Sequence, residues 1–403
     1  MSAGARTAGP AGGPLSGILV VDLSRALAGP HAAMMLGDLG ARVIKVESPA
    51  GGDDTRGWGP PFVGPEDDPQ STYFLSCNRN KESLSLDLKS EEGKQTLREL
   101  VRRADVVVEN FRAGVMARLG FSTSELHEIN PALVILSITG FGHDGPEASR
   151  AGYDQIIQGE AGLMSLTGSG PDNVQRVGVP IADLLSGMYG AFGTVAALFE
   201  RQATGRGQIV RTSLLASVVG VHAFQGTRAT VAHEVPHAQG NHHPSIAPYG
   251  LFACNGGFVQ ISVGNESLWA RLCERFGIES PAGLGSNEGR VRNREATIAL
   301  VEAAFAPYAS EALLAELDAA GIPAGKVRTL DEVYEWPQLL SQGLKISVDH
   351  ETLGTIDLPG PPVRFFQTAG TDEVEVTRTE HSAPPLLGQH AASIRSWLDE
   401  GHQ

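Results

Sequence analysis

The stretch ILVVDLSRALAGPHAAMMLGDLGARVIKVE, residues 18–47, decides the predicted fold. Its apolar ends, ILVVDL at 18–23 and RVIKVE at 42–47, have the length and β-branched content of short buried strands. Between them, Gly29 to Gly40 follows a helical pattern that stops at a glycine, a residue that often ends a helix. Strand, helix and strand in this order indicate a parallel sheet with both faces covered by helices.

The same alternation continues through the first half of the chain. Ser90, followed by two glutamates, opens a helix over 90–104 that ends on two arginines, as the helix dipole favours. Further strands are predicted at 83–88, 105–111, 133–141 and 207–215, the last leading into a helix. The fold class is therefore α/β.

A long helix is predicted over 183–202, after a Gly-, Ser-, Pro- and Asp-rich loop at 145–178. The helix is apolar enough to be buried. Small side chains follow one side of it and would let another backbone approach closely; they are Ser186, Gly187, Gly190, Gly193 and Ala197.

The composition limits the class of protein. The chain has 403 residues, and a single core stops growing at roughly 250–300 residues, so two cores are expected. Lys and Arg number 31 against 46 Asp and Glu, and the formal charge of −15 argues against a nucleic-acid-binding protein. The three cysteines lie far apart without Cys/His metal spacing, which predicts reduced thiols, a cytoplasmic location and no metal site.

Two features argue against a secreted or membrane protein. We expect no apolar stretch to reach the roughly 20 residues that cross a bilayer. Residues 1–13 are small and lack an apolar core, so they are expected to be a disordered tail rather than a signal peptide.

The composition changes after about residue 225. A hairpin is predicted over 247–264 around Asn255-Gly256-Gly257, and helical patterns follow at 266–276 and 295–320. We predict a large domain over 14–225, a smaller α+β domain over 226–330, and a linker with the last part of the large domain over 331–403. That last segment contains paired strands and a closing helix at 393–401.

The opening stretch imitates a dinucleotide-binding unit, with Glu47 where a ribose-binding acid would lie. The turn after the first strand is LSRALAGP, which has no G-x-G-x-x-G, and Pro30 is expected to occupy the first helical position instead. NAD or NADP binding is therefore not predicted.

Six blocks of the chain together resemble the class III CoA-transferases, the formyl-CoA transferase and carnitine dehydratase–bile-acid-inducible group. The resemblance implies two monomers threaded through one another as an interlocked homodimer. Each monomer would have a Rossmann-like large domain built from both chain ends and a small central domain. Coenzyme A would be a substrate, carried as acyl-CoA, with a small carboxylic acid as its partner and no permanently bound cofactor. The blocks are residues 14–47, 77–88, 105–121, 137–155, 177–208 and 384–390.

Asp183 matches the nucleophile of this family, in the block VPIADLLSG at 179–187. A carboxylate that attacks an acyl-CoA forms a mixed anhydride, which keeps the acyl group activated instead of losing it to water. The start of a helix also favours an anion. From position alone, Asp183 could equally be a helix cap, because aspartate is among the best capping residues.

The resemblance also includes 2-methylacyl-CoA racemases, which use a His–Asp pair of bases. Tyr153 stands where their histidine lies, and a phenol of pKa about 10 is a poor base near neutrality. His143 does not match by alignment and is interpreted as a loop histidine. Transferase is therefore favoured over racemase, and a non-catalytic CoA-binding protein is the third alternative.

The resemblance implies a CoA site at the strand ends. Phe111 is expected to pack on adenine, and Arg118 or Lys81 to meet phosphate. Leu27 replaces a glutamine of formyl-CoA transferase, which places formyl specificity in doubt. The implied CoA-binding residues are Arg25, Ala26, Leu27, Ala28, Lys45, Asn78, Asn80, Lys81, Asn110, Phe111 and Arg118.

The small domain lacks the four-glycine run of the formyl-CoA enzymes and has GNHHPSIAPY at 240–249 instead. This segment is most similar to the succinate–hydroxymethylglutarate CoA-transferase type. His242 and His243 could meet an acceptor carboxylate or be ordinary loop residues, and Tyr153 is a further substrate candidate.

Overall fold

A computed structural model describes residues 12–400 and divides the chain into two compact units. The first unit contains the chain up to Ala161, Val177–Gly226 and the chain from Pro337 onward. The second unit contains Gly162–Arg176 and Thr227–Trp336. Residues 1–11 of the predicted tail lie outside the described range.

The strands of the first unit form one parallel sheet and three small ribbons. The sheet strands are β1 Leu19–Asp22, β2 Arg42–Glu47, β5 Lys81–Ser85, β6 Val106–Glu109, β7 Val134–Thr139 and β8 Ile209–Ser213. The ribbons pair β3 Phe62–Val63 with β4 Gln70–Ser71, β12 Lys345–His350 with β13 Gly354–Pro359, and β14 Phe366–Ala369 with β15 Asp372–Glu375. The second unit contains β9 Tyr249–Cys254, β10 Gly257–Ser262 and β11 Ala324–Gly325.

The parallel sheet has the order β5-β2-β1-β6-β7-β8. Counted along the chain, its six strands are arranged 3-2-1-4-5-6, the order of the doubly wound nucleotide-binding folds. The order reverses between β1 and β6, which pair in parallel through Val20–Val106 and Asp22–Val108. In such sheets, the crevice at the carboxyl ends of these two strands is where ligands bind.

The helices lie between and around these strands. They are α1 Ala28–Asp38, α2 Thr72–Ser76, α3 Glu91–Arg103, α4 Val115–Leu119, α5 Thr123–Ile129, α6 Asp154–Glu160, α7 Leu163–Leu166, α8 Ile181–Thr204 and α9 Leu214–Gly220. They continue as α10 Ala223–Thr230, α11 Glu266–Phe276, α12 Asn287–Arg292, α13 Arg294–Phe305, α14 Ser310–Ala319, α15 Leu330–Tyr334, α16 Pro337–Ser341 and α17 Ala391–Glu400.

The core of the first unit confirms the predicted parallel sheet. Val21 and Ile44 are fully buried against α3, and Ile394 of α17 lies in the same apolar cluster. Ser90 caps α3 by accepting a hydrogen bond from the Gly93 N–H, as predicted.

Four sequence predictions need correction. The strand predicted at 83–88 begins earlier and is β5; Pro30 is the third residue of α1 rather than the first. The loop predicted at 145–178 contains α6 and α7. The helical pattern at 295–320 is two helices, because Pro307 lies between α13 and α14 and cannot continue a helix.

The glycines of α8 allow it to pack closely on α1 and the sheet. A Cβ added to Gly187 would lie 2.8 Å from the Ala28 carbonyl oxygen and 2.9 Å from a His31 ring carbon. Such contacts are too short for any real Cβ, so helix α8 requires glycine there to approach this closely. This packing brings the first turn of α8 beside the residues that follow β1.

The prediction that α8 is buried is wrong for one of its faces. Phe192 and Phe199 are 74% and 76% exposed, and Met188 and Val195 are exposed beside them. By length and composition α8 could also span a membrane, so the expectation that no stretch reaches that length is wrong. A core helix passes the same test, and the small-residue face of α8 packs against α1.

The second unit has its own core. The predicted hairpin is confirmed as β9 and β10, with Gly256 at a positive φ of 74° in its turn. Phe252 of β9 packs edge-on against Phe305 of α13, and both side chains are fully buried.

Candidate active site

A cleft of about 430 Å³ opens where the strand order reverses. All of its lining residues belong to the first unit. They come from the end of β7, from the segments after β1, β2, β6 and β7, from α2, and from the starts of α1, α6, α8 and α9. The polar, charged and aromatic residues among them are Arg25, Asp54, Trp58, Tyr73, Asn110, Phe111, Arg112, Thr139, Ser149, Arg150, Tyr153, Asp154, Gln155 and Asp183.

Asn110 joins the two segments on either side of the reversal. Its side-chain oxygen accepts from the Arg25 N–H at 2.8 Å, and its Nδ2 donates to the Arg25 carbonyl at 2.7 Å. The Arg25 guanidinium lies 5.7 Å from the centroid of the Phe111 ring. One wall of the cleft therefore combines a cation with an aromatic face.

Lys45 lies beneath this wall rather than in it. Its Nζ is fully buried, 2.8 Å from Asp53 Oδ2 and 2.9 Å from the Ser24 carbonyl. Asp53 Oδ1 in turn accepts from the N–H of Ala26 at 3.2 Å. Ala26 has a φ of 64°, a left-handed conformation that costs a non-glycine residue on the order of 1 kcal/mol. The buried Lys45–Asp53 pair thus supports a strained turn at the cleft.

Lys81 forms a second buried cation site. Its Nζ donates to Asp22 Oδ2 at 2.9 Å, to Asn78 Oδ1 at 2.9 Å and to the Pro30 carbonyl at 2.8 Å. Burial opposes ionisation of Asp22, but Lys81 and Lys45 outweigh it and hold the pKa of that carboxyl below its usual range. Lys81 and Asn78 therefore fix β1 to α1 and do not line the cleft.

Three other predicted CoA-binding residues also lie outside the cleft lining. Leu27 is buried against Met34 and Cys77. Asn80 has a φ of 63° and donates from Nδ2 to Asp38 Oδ1 at 2.8 Å. Arg118 is exposed on α4. The structure thus brings Arg25, Ala26, Ala28, Asn110 and Phe111 together in the cleft.

Asp183 lies in the first turn of α8, half-buried, and lines the cleft. It is not the cap of this helix, since the N-cap is Pro180, which makes no side-chain capping bond. The capping carboxylate is Asp154, whose Oδ1 accepts from the Ala182 N–H at 2.8 Å and the Asp183 N–H at 3.4 Å. The capping interpretation of Asp183 is therefore wrong.

The Asp183 carboxyl has an unusual electrostatic setting. Burial and the nearby Asp154 raise the pKa of Asp183 to about 7 from an ordinary 3.8. Burial and the Asp183 charge also raise the pKa of Tyr73, which lines the same cleft. A carboxyl whose pKa lies near neutrality, in a cleft, is typical of a catalytic group.

Sequence reasoning missed several residues of the cleft. Trp58 and Tyr73 make an edge-to-face pair with ring centroids 5.1 Å apart. Arg112 and Arg150 supply exposed cations at the cleft, and Arg112 directly follows the predicted Phe111. That adjacency was the available signal for Arg112, whereas Trp58 and Tyr73 reach the cleft only through tertiary packing.

The three substrate candidates occupy different surroundings. Tyr153 is exposed and lines the cleft. His242 packs edge-on against Phe252, and His243 stacks on Tyr249 with centroids 5.1 Å apart, all within the second unit. A substrate role for the two histidines stays a prediction.

His143 lies in a loop of the first unit, as interpreted from the sequence. Its Nε2 is 2.8 Å from the Ser137 hydroxyl, which donates to the buried Glu109 carboxylate. None of these three residues is among those that line the cleft.

A six-stranded parallel sheet with a carboxylate-bearing cleft at its reversal defines a doubly wound α/β protein. Comparison with known proteins identifies the family. Residues 15–391 match the model of CoA-transferase family III. The succinyl-CoA:glutarate CoA-transferase of Mus musculus is 38% identical over 384 residues, covering 94% of this chain and 85% of that protein.

Two further comparisons agree. The succinate–glutarate CoA-transferase of Agrobacterium fabrum is 38% identical over 393 residues, covering 96% of both chains. The crystal structure of a CAIB/BAIF family protein from Brucella suis has a TM-score of 0.84 and 40% identity, covering 96% of this chain and 100% of that one. The chain therefore belongs to CoA-transferase family III, and the resemblance drawn from its six blocks is confirmed.

Proposed function

We propose that this CoA-transferase moves CoA from an acyl-CoA donor to a small dicarboxylic acid, with Asp183 as the nucleophile. The observation that carries this proposal is the Asp183 carboxyl, half-buried in the cleft at the sheet reversal and unused as a helix cap. The acceptor class comes from the relatives, whose names specify glutarate.

The reaction needs four carbonyl substitutions and no water. An Asp183 oxygen attacks the thioester carbonyl, the C–S bond breaks, and CoA leaves as a thiolate while an acyl-aspartyl anhydride forms. The thiolate then attacks the aspartyl carbonyl and expels the donor carboxylate, which leaves CoA as a thioester on Asp183. The acceptor carboxylate attacks this thioester, its C–S bond breaks, and CoA leaves again as a thiolate while an acceptor–aspartyl anhydride forms. The thiolate finally attacks the acceptor's carbonyl in this anhydride and releases the Asp183 carboxylate.

The cleft walls suggest how acyl-CoA is held. Arg25, after β1, and Arg112, directly after Phe111 in the segment that follows β6, both line the cleft. Guanidinium groups bind phosphate and an aromatic face can stack on adenine. We therefore propose that these arginines contact the phosphates of CoA. The buried Lys45 and Lys81 would instead stabilise the loops that bind it.

Tyr153 is our proposed contact for the acceptor acid. It is exposed in the cleft and adjoins Asp154 in sequence. A phenol donates a hydrogen bond to a carboxylate, whereas it is a poor base near neutral pH. The same residue therefore favours transfer over α-proton exchange.

The proposal is tested by incubating the purified protein with succinyl-CoA and a panel of free acids, and measuring each new thioester by mass. We expect glutarate and similar dicarboxylates to accept CoA, and Asp183→Asn to lose transfer while remaining folded. Trapping of the aspartyl-CoA thioester by borohydride separates a working enzyme from a non-catalytic CoA-binding protein. Turnover retained by the purified Asn variant would contradict the assignment of the nucleophile.

The racemase alternative has its own experiment. A 2-methylacyl-CoA incubated in heavy water gains deuterium at the α-carbon if the protein removes that proton. We expect no exchange above that of Asp183→Asn. Rapid exchange without CoA transfer would establish the racemase instead.

We propose that the protein is an interlocked homodimer, as the family resemblance implies, and that it acts in the cytoplasm. Support comes from the exposed apolar face of α8, where Phe192 and Phe199 repeat seven residues apart and lie on one side. Solvent-exposed aromatic faces of this kind mark protein contacts. Analytical ultracentrifugation should show a dimer that Phe192→Glu weakens and that Gln95→Glu, an equal charge change at an exposed position of α3, leaves intact.

A further inference from the structure

One contact joins two separate segments at the nucleophile. The Asp154 carboxylate, at the start of α6, reaches the first turn of α8 from 28 positions earlier in the chain. We infer that Asp154 is a positioning residue for Asp183, since it fixes the backbone of the nucleophile's turn and holds a negative charge beside it. This inference rests on the proposed role of Asp183.

The geometry of Asp154 is fixed from both sides. Its Oδ1 accepts from the backbone N–H of Ala182 and Asp183, and its Oδ2 accepts from Gln158 Nε2 at 2.7 Å. Gln158 is fully buried, and its Oε1 accepts from the Val177 N–H at 2.9 Å. Helix α6 thus holds the chain at two points, at Val177 before α8 and at Ala182 in its first turn.

Helix α8 depends on this external cap. Its own N-cap residue is Pro180, which has no side-chain acceptor. The free N–H groups of a first turn are satisfied by a cap, and loss of one weakens the turn. Without Asp154, the turn that carries Asp183 would lose its capping acceptor and the reactive carboxylate would lose its fixed position.

The charge of Asp154 acts on the same group. Six other titratable or charged side chains line the cleft with Asp183 and Asp154: Arg25, Asp54, Tyr73, Arg112, Arg150 and Tyr153. Burial contributes most to the raised pKa of Asp183, and the charge of Asp154 contributes next. Acylation converts Asp183 from an anion to a neutral group, so each covalent intermediate relieves this repulsion.

The test uses variants that separate charge from geometry. Asp154→Asn keeps an oxygen acceptor for the helix and removes the charge, whereas Asp154→Glu keeps the charge and displaces the acceptor. Succinyl-CoA-dependent transfer is measured from about pH 5 to about pH 9, a range that spans the Asp183 titration. We expect Asp154→Asn to lower kcat by about tenfold, with little change in the KM for acyl-CoA, and to move the acidic limb of kcat/KM to lower pH.

Asp154→Glu should lower kcat and leave the acidic limb near that of the wild type. An Asp154→Asn enzyme with wild-type kcat and an unmoved limb would overturn the inference. Folding of each variant is checked by circular dichroism, and Asp154→Ser, a neutral capping residue, replaces the Asn variant should that one not fold.

A second readout does not need activity. Carbon-13 NMR of aspartate-labelled protein, with Asp183→Asn used to assign the signal, reports the titration midpoint of Asp183. We expect the midpoint to fall in Asp154→Asn. An unchanged midpoint overturns the inference even in an active transferase, whereas a wild type without transfer activity refutes the proposed function alone.

Discussion

Replacing Asp183 by Asn should abolish transfer and make the protein more stable above neutral pH. Burial and Asp154 raise the pKa of this carboxyl to about 7 from 3.8. A difference of one unit between the folded and unfolded pKa corresponds to about 1.36 kcal/mol, so an ionised Asp183 lowers the free energy of unfolding by up to about 4 kcal/mol. Asparagine has nearly the same shape and carries no charge, so it removes this cost.

The effect has a definite pH dependence. At about pH 3 and below, Asp183 is protonated in the folded protein and mostly protonated in the unfolded chain, so the Asn variant and the wild type should be nearly equally stable. Between about pH 4 and pH 7 the unfolded chain releases its proton first, and the wild type loses stability relative to the variant. Above about pH 7 the difference is complete.

Urea denaturation at about pH 4, 6 and 8 measures this difference. We expect the variant to gain at least about 1 kcal/mol at the highest pH, after allowance for relaxation around the charge, and to lose transfer by at least about a thousandfold. Asp67→Asn, at an exposed loop position, is the matched control and should show no such trend. A variant that is less stable than the wild type at the highest pH, or a pH-independent difference, would refute the electrostatic reasoning.

Three further predictions concern packing, buried charge and substrate binding. Gly187→Ala should destabilise the protein by about 1–3 kcal/mol, because the new Cβ would meet the neighbouring backbone of α1, whereas Gly57→Ala meets nothing within 4 Å; urea denaturation of both variants measures the contrast. Lys81→Met should cost about 3–5 kcal/mol, because it removes the direct ion pair of the buried Asp22 carboxylate and leaves the more distant Lys45; wild-type-like thermal unfolding would contradict this. Arg112→Ala should raise the KM for acyl-CoA more than Arg118→Ala, since only Arg112 lines the cleft; steady-state kinetics with equal effects would reject that assignment.

The predicted CoA-binding residues show how far a residue's place at a strand end predicts whether its side chain lines the cleft. Arg25, Asn110 and Phe111 follow strands β1 and β6, and strand ends of a parallel sheet meet at one edge, so their gathering was predictable. Lys45 and Lys81 also belong to strands, yet their amines are buried against Asp53 and Asp22. Which carboxylate a lysine meets depends on neighbouring segments that the local sequence does not specify.

For helix α8, too, some features followed from the sequence and others depended on the tertiary structure. Its length, its small-residue side and its place before β8 followed from the sequence. The exposure of Phe192 and Phe199 did not, since an apolar residue packs against this chain or remains free for another according to the tertiary arrangement.

The sequence by itself determined the alternation of apolar strands with helices, and hence the parallel sheet and the edge at which the cleft opens. These features depend on periodicity and on helix-ending residues, which are local. Only the tertiary structure decided how the charges are paired. Asp154, rather than Asp183, caps α8 because folding brings together residues 28 positions apart, and this contact is also what sets the electrostatic environment of the proposed nucleophile.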